Sequence, residues 1–187
     1  ELDELGIDLK VEYDGAQLDF EDQGFDNAET PWIVSQDLQP QNPNTTDRQP
    51  LFRFETLGDG DFSNTELKVS IRNIRYPEEV PGSEYGTFDV VVREFGDDDR
   101  NQDGIEAFTG DNLNPESSNY IAQVIGNRET VFTEEGKLRP RGEFQNQSDY
   151  IRVVMNESFE EANEDGRNAL AHLVPWGFDS YSIPLDF

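Results

Sequence analysis

The stretch LKVSIRNI at 67–74 constrains the chain more than any other. Leu67, Val69 and Ile71 alternate with Lys68, Ser70 and Arg72, a period of two that suits a half-buried β-strand and not a helix. A second run, TFDVVVREF at 87–95, puts Phe88, Val90 and Val92 on one side and Thr87, Asp89 and Arg93 among their opposites. Both runs carry charge only on the alternate face, so the two are expected to pair, apolar side inward. Further strands are expected at IDLKVEY (7–13), TPWIVSQ (30–36), LFRFETL (51–57, with Phe52 and Phe54 on one face), ETVFTEEG (129–136) and DYIRVVM (149–155). Between them lie turn-forming loops: the proline-rich 37–50, GDGDFSN at 58–64, YPEEVPGSEYG at 76–86 and the acidic GDDDRNQDG at 96–104.

One segment breaks the alternation. NPESSNYIAQVIGN (114–127) reads as a capped amphipathic helix. Ser117 is the expected N-cap, Glu116 adds charge suited to that end, and Gly126 is the expected C-cap. Ile121, Val124 and Ile125 form its stripe. About two turns of helix are not stable alone, so the stripe must dock on a sheet. SFEEANEDG (158–166) is expected to add one helical turn. The expected fold class is therefore α+β: a β-rich mixed-sheet domain braced by short helices, with long acidic loops. Residues 1–50 supply N-terminal strands and an exposed loop, within the same domain or as a small sub-domain, and 51–187 form the main α+β domain.

The chain has 187 residues, enough for a sizeable core, and 13 Phe, 6 Tyr and 2 Trp offset a hydrophobic content of only 34%. Its formal net charge is −27, with lysine only at positions 10, 68 and 137. Such a surface repels nucleic acid and anionic lipid, so neither is an expected partner, and no run approaches the ~20 apolar residues of a membrane span. The acidity fits a solvated surface, adaptation to high salt, or a partner with a basic face or bound cations. With no cysteine, disulfides and thiolate chemistry are excluded. The chain begins Glu1-Leu2-Asp3 rather than with methionine and reads as an internal piece of something longer.

Motifs for chemistry are sparse. Asp99-Arg100-Asn101-Gln102-Asp103-Gly104 matches the first half of a calcium loop, in which alternate oxygen side chains converge on a hard cation. The twelfth position is Gly110 rather than a bidentate glutamate, so an acidic connection is the competing reading and no metal ligand is assigned. His172 is the only histidine, which excludes a multi-histidine zinc site, and no GxSxG elbow accompanies it. With 41 acids, carboxylate pairs at glycosidase spacing arise by chance. Neither phosphate-binding glycine pattern occurs, and the sequons at Asn44, Asn146 and Asn156 carry little without a secretory signal. No catalytic residue, cofactor site or metal site is expected.

The order of elements says more. TPWIVSQ, then LFRFETLGDGDFSNTELKVSIRNIR, YGTFDVVVREFGDDDRN and NLNPESSNYIAQVIGN together resemble the contractile tail sheath proteins of myovirus-type phages. Tyr150, Arg152 and Val153 in SDYIRVVM and the close PWGFDSY (175–181) extend the resemblance over roughly 30–183. It departs from the family at Ser118, where a helix-initiating proline is common, and in its greater acidity. The resemblance implies a structural virion protein without an active site, one subunit of a helical sleeve whose partners are copies of itself, the tail tube and the baseplate. Such a protein assembles in the host cytoplasm and resides in the phage tail. It also implies strand-donating arms at the ends of the full protein, which this stretch lacks, so the stretch alone is expected to be monomeric. The alternative is a calcium-dependent extracellular β-module from a salt-adapted organism; a carboxylate-pair hydrolase is a third class.

The charge generates a first test. Crowded carboxylates repel one another, and screening over a Debye length relieves that repulsion. Thermal melts in rising sodium chloride with chelator present are expected to show a rising Tm, with little further gain from micromolar calcium. A large, saturable shift seen only with calcium would instead make Asp99, Asn101 and Asp103 a metal site.

Overall fold

The computed structural model describes residues 11–13, 16–18, 27–36, 48–59, 65–97, 104–132, 137–164 and 173–176. Within them the protein is mostly β-sheet with a few short helices. A hairpin pairs β1 (Val11–Tyr13) with β2 (Ala16–Leu18). The first larger sheet runs β11 (Ile151–Met155), β5 (Pro50–Asp59), β3 (Asn27–Glu29), with β4 (Ile33–Val34) also on β5. The second runs β6 (Leu67–Arg75), β7 (Thr87–Glu94), β8 (Gly104–Asp111), and β9 (Glu129–Phe132) pairs with β10 (Leu138–Arg141). Every pairing between these strands is antiparallel, where a mixed sheet was expected. For β6, β7 and β8 the connections of about ten residues each fall short of the crossover of a dozen or more that parallel neighbours need.

The expected β6–β7 pair forms, with Val69 opposite Val92 and Ile71 opposite Val90. The two sheets meet through aromatic rings. Phe52 of β5 stacks on Phe88 of β7 with centroids 5.9 Å apart and planes 10° apart, and Phe54 meets Phe52 edge-on at 5.4 Å. Around them gather Ile71, Val90, Val92, Ile151, Val153 and Met155. β7 departs from expectation on its other face, where Val91 and Arg93 are also buried. The residues at 105–109 belong to a full strand, β8, and β10 is a strand the sequence did not signal. All four β10 residues are exposed, and Pro140 suits only an edge position.

Helix α1 is Ile121–Ile125, shorter than expected, and begins after Ser117. Ser117 does not cap it. Its Oγ accepts from Asn112 Nδ2 at 3.0 Å and from the Asn119 amide at 3.1 Å. Asn112 and Asn114 side chains accept from the amides of Asn114 and Glu116. These short polar side chains offer local bonds that compete with helical ones and delay the helix to Tyr120. The loop closes at its neck, where the Asn112 amide donates to the Asn119 carbonyl and the Ile121 amide to the Asn112 carbonyl.

Ile121, Ala122 and Ile125 are fully buried, whereas Val124 is only half-buried. At 100° per residue these three span one face centred between Ile121 and Ala122, and Val124 falls at its margin. The helix packs against β11 and β8. Gly126 ends it at φ 105°, and a Cβ there would lie 2.2 Å from Asn146 Cα. Its carbonyl accepts from the Val153 amide of β11 at 2.8 Å, tying the helix end to the first sheet. Helix α2 (Glu157–Glu164), longer than the single turn expected, is anchored by Phe159, with no exposed surface. Asn156 precedes it and its Oδ1 accepts from the Phe159 amide.

This packing separates two positions. An aspartate at 121 would sit without solvent or partner under a helix that cannot persist undocked, a cost of several kcal/mol, comparable to a small domain's stability. Ile121→Asp is expected to abolish cooperative thermal unfolding by circular dichroism, while Val124→Asp lowers Tm and keeps the transition. Parental melting of Ile121→Asp would show that the helix does not brace the core.

Candidate functional site: an alternating charge ladder and a pinned turn

Strand register builds a row of charges on the outer face of the first sheet. Glu29 of β3 lies opposite Glu55 of β5, and Arg152 of β11 lies opposite Glu55 on the other side. Two facing glutamates would repel, but Arg53 bridges them, Nη1 to Glu29 at 2.9 Å and Nη2 to Glu55 at 2.7 Å. Arg152 Nη2 donates to Glu55 and also to Glu129 of β9 at 2.9 Å. Arg141 of β10 completes the row at 2.6 Å from Glu129. The order Glu29, Arg53, Glu55, Arg152, Glu129, Arg141 alternates in sign and ties together β3, β5, β11, β9 and β10.

Glu29, Arg53, Glu55, Glu129 and Arg152, with Asn27 and Thr130, border a polar hollow of about 780 Å³. Burial pushes the Glu129 carboxyl up, but hydrogen bonds and charge from Arg152 and then Arg141 outweigh it and hold the group below its ordinary value. Burial likewise works against the Arg152 charge, and Glu129 and Glu55 reverse that effect. The ladder's carboxylates thus accept from guanidiniums, an arrangement suited to holding strands in register.

The second cluster lies where β7 ends. The chain turns at Phe95 and Gly96, and Asp97 folds back over the outer face of β6 and β7. There its carboxylate takes Arg93 as a fork, Nε to Oδ2 and Nη2 to Oδ1, both 2.7 Å. Lys68 Nζ reaches Asp97 Oδ1 at 2.5 Å, and Arg93 Nη1 donates to Ser70 Oγ at 3.1 Å. Arg93 and the Asp97 side chain are fully buried. Removing one partner of such a pair costs about 3–5 kcal/mol, because the other charge is left in the interior. The acidic turn is therefore pinned at its root.

Asp111, at the end of β8, has no exposed surface, and among the described residues neither carboxylate oxygen has a hydrogen-bond partner. Burial, with the Asp89 charge as a second cause, pushes its pKa up to about 7. Asp89 itself accepts from the Gly110 amide at 2.9 Å and from Asn73 Nδ2 at 2.6 Å.

Asp99, Asn101 and Asp103 of the calcium-like motif lie outside the described residues, as do His172 and Asn44; Gly104 is the first residue of β8. Among the described residues no group of three or more histidine, cysteine, aspartate or glutamate side chains could hold a metal ion. The Asn146 side chain is engaged, accepting from the Arg128 amide and donating to the Arg128 carbonyl, each at 2.8 Å, and Asn156 caps α2. The sequence named Arg93 only as a residue of the charged strand face and Arg152 only as part of a likeness, and did not single out Asp97, Glu55 or Asp111. A faint signal exists, since Arg93 and Arg152 each interrupt an apolar run. Comparison of the chain with protein-family models, with curated proteins and with solved structures finds no match in any of the three.

The titrations have opposite signs. Asp111 is raised from 3.8 to about 7, so its contribution is complete below pH 4 and is lost as pH rises to about 7. Glu129 is lowered, so its contribution is present above its ordinary 4.5 and is lost as pH falls below that. Urea unfolding from pH 4 to 8 is expected to show stability declining toward pH 7. Asp111→Asn should remove much of that slope and raise stability at pH 8 by a few kcal/mol, at about 1.4 kcal/mol per pKa unit. An unchanged slope in this variant would show that Asp111 is ionised throughout.

Proposed function

We propose that this chain is part of a contractile tail sheath subunit: an α+β domain with long acidic loops, repeated in a helical sleeve around a tail tube and working mechanically rather than catalytically. The observation that carries the reading is the segment 112–127, the most specific part of the resemblance. Its asparagine and serine side chains close a compact loop, its helix seats on β11 and β8, and Gly126 fits against Asn146 where no larger residue can. A residue pattern with a physical use at so many positions is a stronger basis for likeness than alternating strands, which many folds share.

The mechanics agree with this reading. Sleeve contraction moves rigid subunits past one another while weak contacts between them exchange. A rigid subunit needs its strands locked independently of its neighbours, and the Glu29-to-Arg141 ladder and the Arg93–Asp97 pin supply such locks. The copies themselves and the tube and baseplate proteins are then the partners, within the phage tail.

The test is assembly. The full-length protein that contains this stretch is expected to form hollow sleeves in negative-stain electron microscopy. Residues 1–187 alone, at micromolar concentration, should scatter light as a monomer. A full-length protein that stays monomeric, or stable rings formed by 1–187 alone, would overturn the proposal.

A further inference from the structure

Most large apolar side chains left in solvent gather at two places. At one, Trp32 (39% exposed) and Trp176 (46%) border a groove of about 400 Å³ with Pro31, Ile33, Val34 and Arg48. Tyr76 (40%) stands beside it, its hydroxyl bonded to Gln36. At the other, Phe95 (58%) crowns the turn after β7, and Ile105 (36%) follows Gly104 in β8 opposite Arg93. A protein surface tolerates single exposed apolar residues such as Phe95, whereas a gathered group such as Trp32, Trp176 and Tyr76 marks a contact surface.

These places lie at opposite ends of the second sheet. The groove sits by the end of β6 and the start of β7: Val174 Cγ1 would meet a Cβ on Gly86, and the Trp176 amide donates to the Val34 carbonyl. Phe95 lies at the far end of β7, its amide bonded to the Glu66 carbonyl before β6. Eight residues of β7 separate the two by about 26 Å. One chain therefore cannot bring its own turn to its own groove.

Charge selects the occupant. Arg48 lies over the Trp176 ring at 4.6 Å, its Nε is buried without an acceptor, and among the described residues no carboxylate pairs with it. What sets Arg48 apart is its place, half-buried at the rim of the groove and stacked on one of its tryptophans. The turn at the other end offers the match, an exposed Glu94 beside the exposed Phe95 ring. Tryptophan and arginine are also the residues most enriched among side chains that dominate binding energy.

We propose that the groove of Trp32, Trp176 and Arg48 receives the Glu94–Phe95 turn of a second copy, Phe95 entering between the tryptophans and Glu94 facing Arg48. Because donor and acceptor surfaces differ and lie at opposite ends, the contact is head-to-tail, the kind that propagates into rings or helices. It rests on the sheath reading for its setting and names which surfaces meet. The contact is small, so for residues 1–187 alone it saturates only at high protein concentration.

The chain's two tryptophans both border the groove, so their emission reports its occupancy. The reporter is the chain carrying Phe95→Asp, which keeps the groove and loses the turn's ring. The titrant carries Trp32→Phe and Trp176→Phe, which keeps the turn and emits no tryptophan light; circular dichroism melts check that both fold. Under salt that screens general repulsion, the titrant is expected to give a saturable blue shift of reporter emission. Adding Phe95→Asp to the titrant or Arg48→Glu to the reporter should abolish the shift. No shift with folded proteins, or an equal shift from the Phe95→Asp titrant, would overturn the contact. Sleeves of full-length protein that persist with Phe95→Asp and show parental tryptophan emission would overturn it while leaving the sheath reading in place. A saturable shift together with a full-length protein that forms no sleeves would support the contact and overturn the sheath reading.

Discussion

The stack of Phe52 on Phe88 joins two antiparallel sheets that each have only one good apolar face. A sheet face left in water contributes nothing to stability, and each of these faces is covered by the other together with α1 and α2. From that contact the remaining architecture follows. Helix α1 closes the core at β8 and β11, Gly126 lets its end pass under Asn146, and Phe159 seals it from α2. A five-residue helix exists here because the core needs a lid, not because its sequence favours helix.

The second organising fact is how the chain uses its few cations. Arg93 and Lys68 converge on the single buried carboxylate of Asp97, while Arg152 sits between Glu55 and Glu129, which would otherwise repel one another. The pairs hold β6 to β7 and string β3, β5, β11, β9 and β10 into one row. Among the described residues the exposed charges are mostly acidic, with Arg75, Arg128, Lys137, Arg139 and Arg141 the exposed cations. Arg48 has no carboxylate partner among the described residues, and it lies over one of the two tryptophans.

Much of the fold was legible in the residues. Alternation at 67–74 and 87–95 implied the β6–β7 pair, and Phe52 and Phe54 were readable as core from their spacing. The segment 114–127 was readable as a place where strand gives way to a docked helix. Its details were not. Ser117 satisfies every local criterion for an N-cap, yet its hydroxyl serves Asn112 and Asn119 because a loop of short polar residues closes first. Ala122 replaced Val124 on the buried face because the helix meets two sheets, and the direction of that face depends on where they lie.

The sequence by itself determined the period-two strands, the docked helix and an acidic surface, since each is set by neighbours a few residues apart. Tertiary structure alone decided that Arg93 and Arg152 would be buried. A strand's alternation shows which side chains share a face, but not whether a folded-back turn or another strand covers that face. The same holds for Trp32 and Trp176, far apart in the chain and brought to one groove only when Ser35 and Pro175 bridge. Asp111 belongs with them. Nothing in its neighbours along the chain marks it, and its burial without a partner among the described residues arises only when β8 closes on the core.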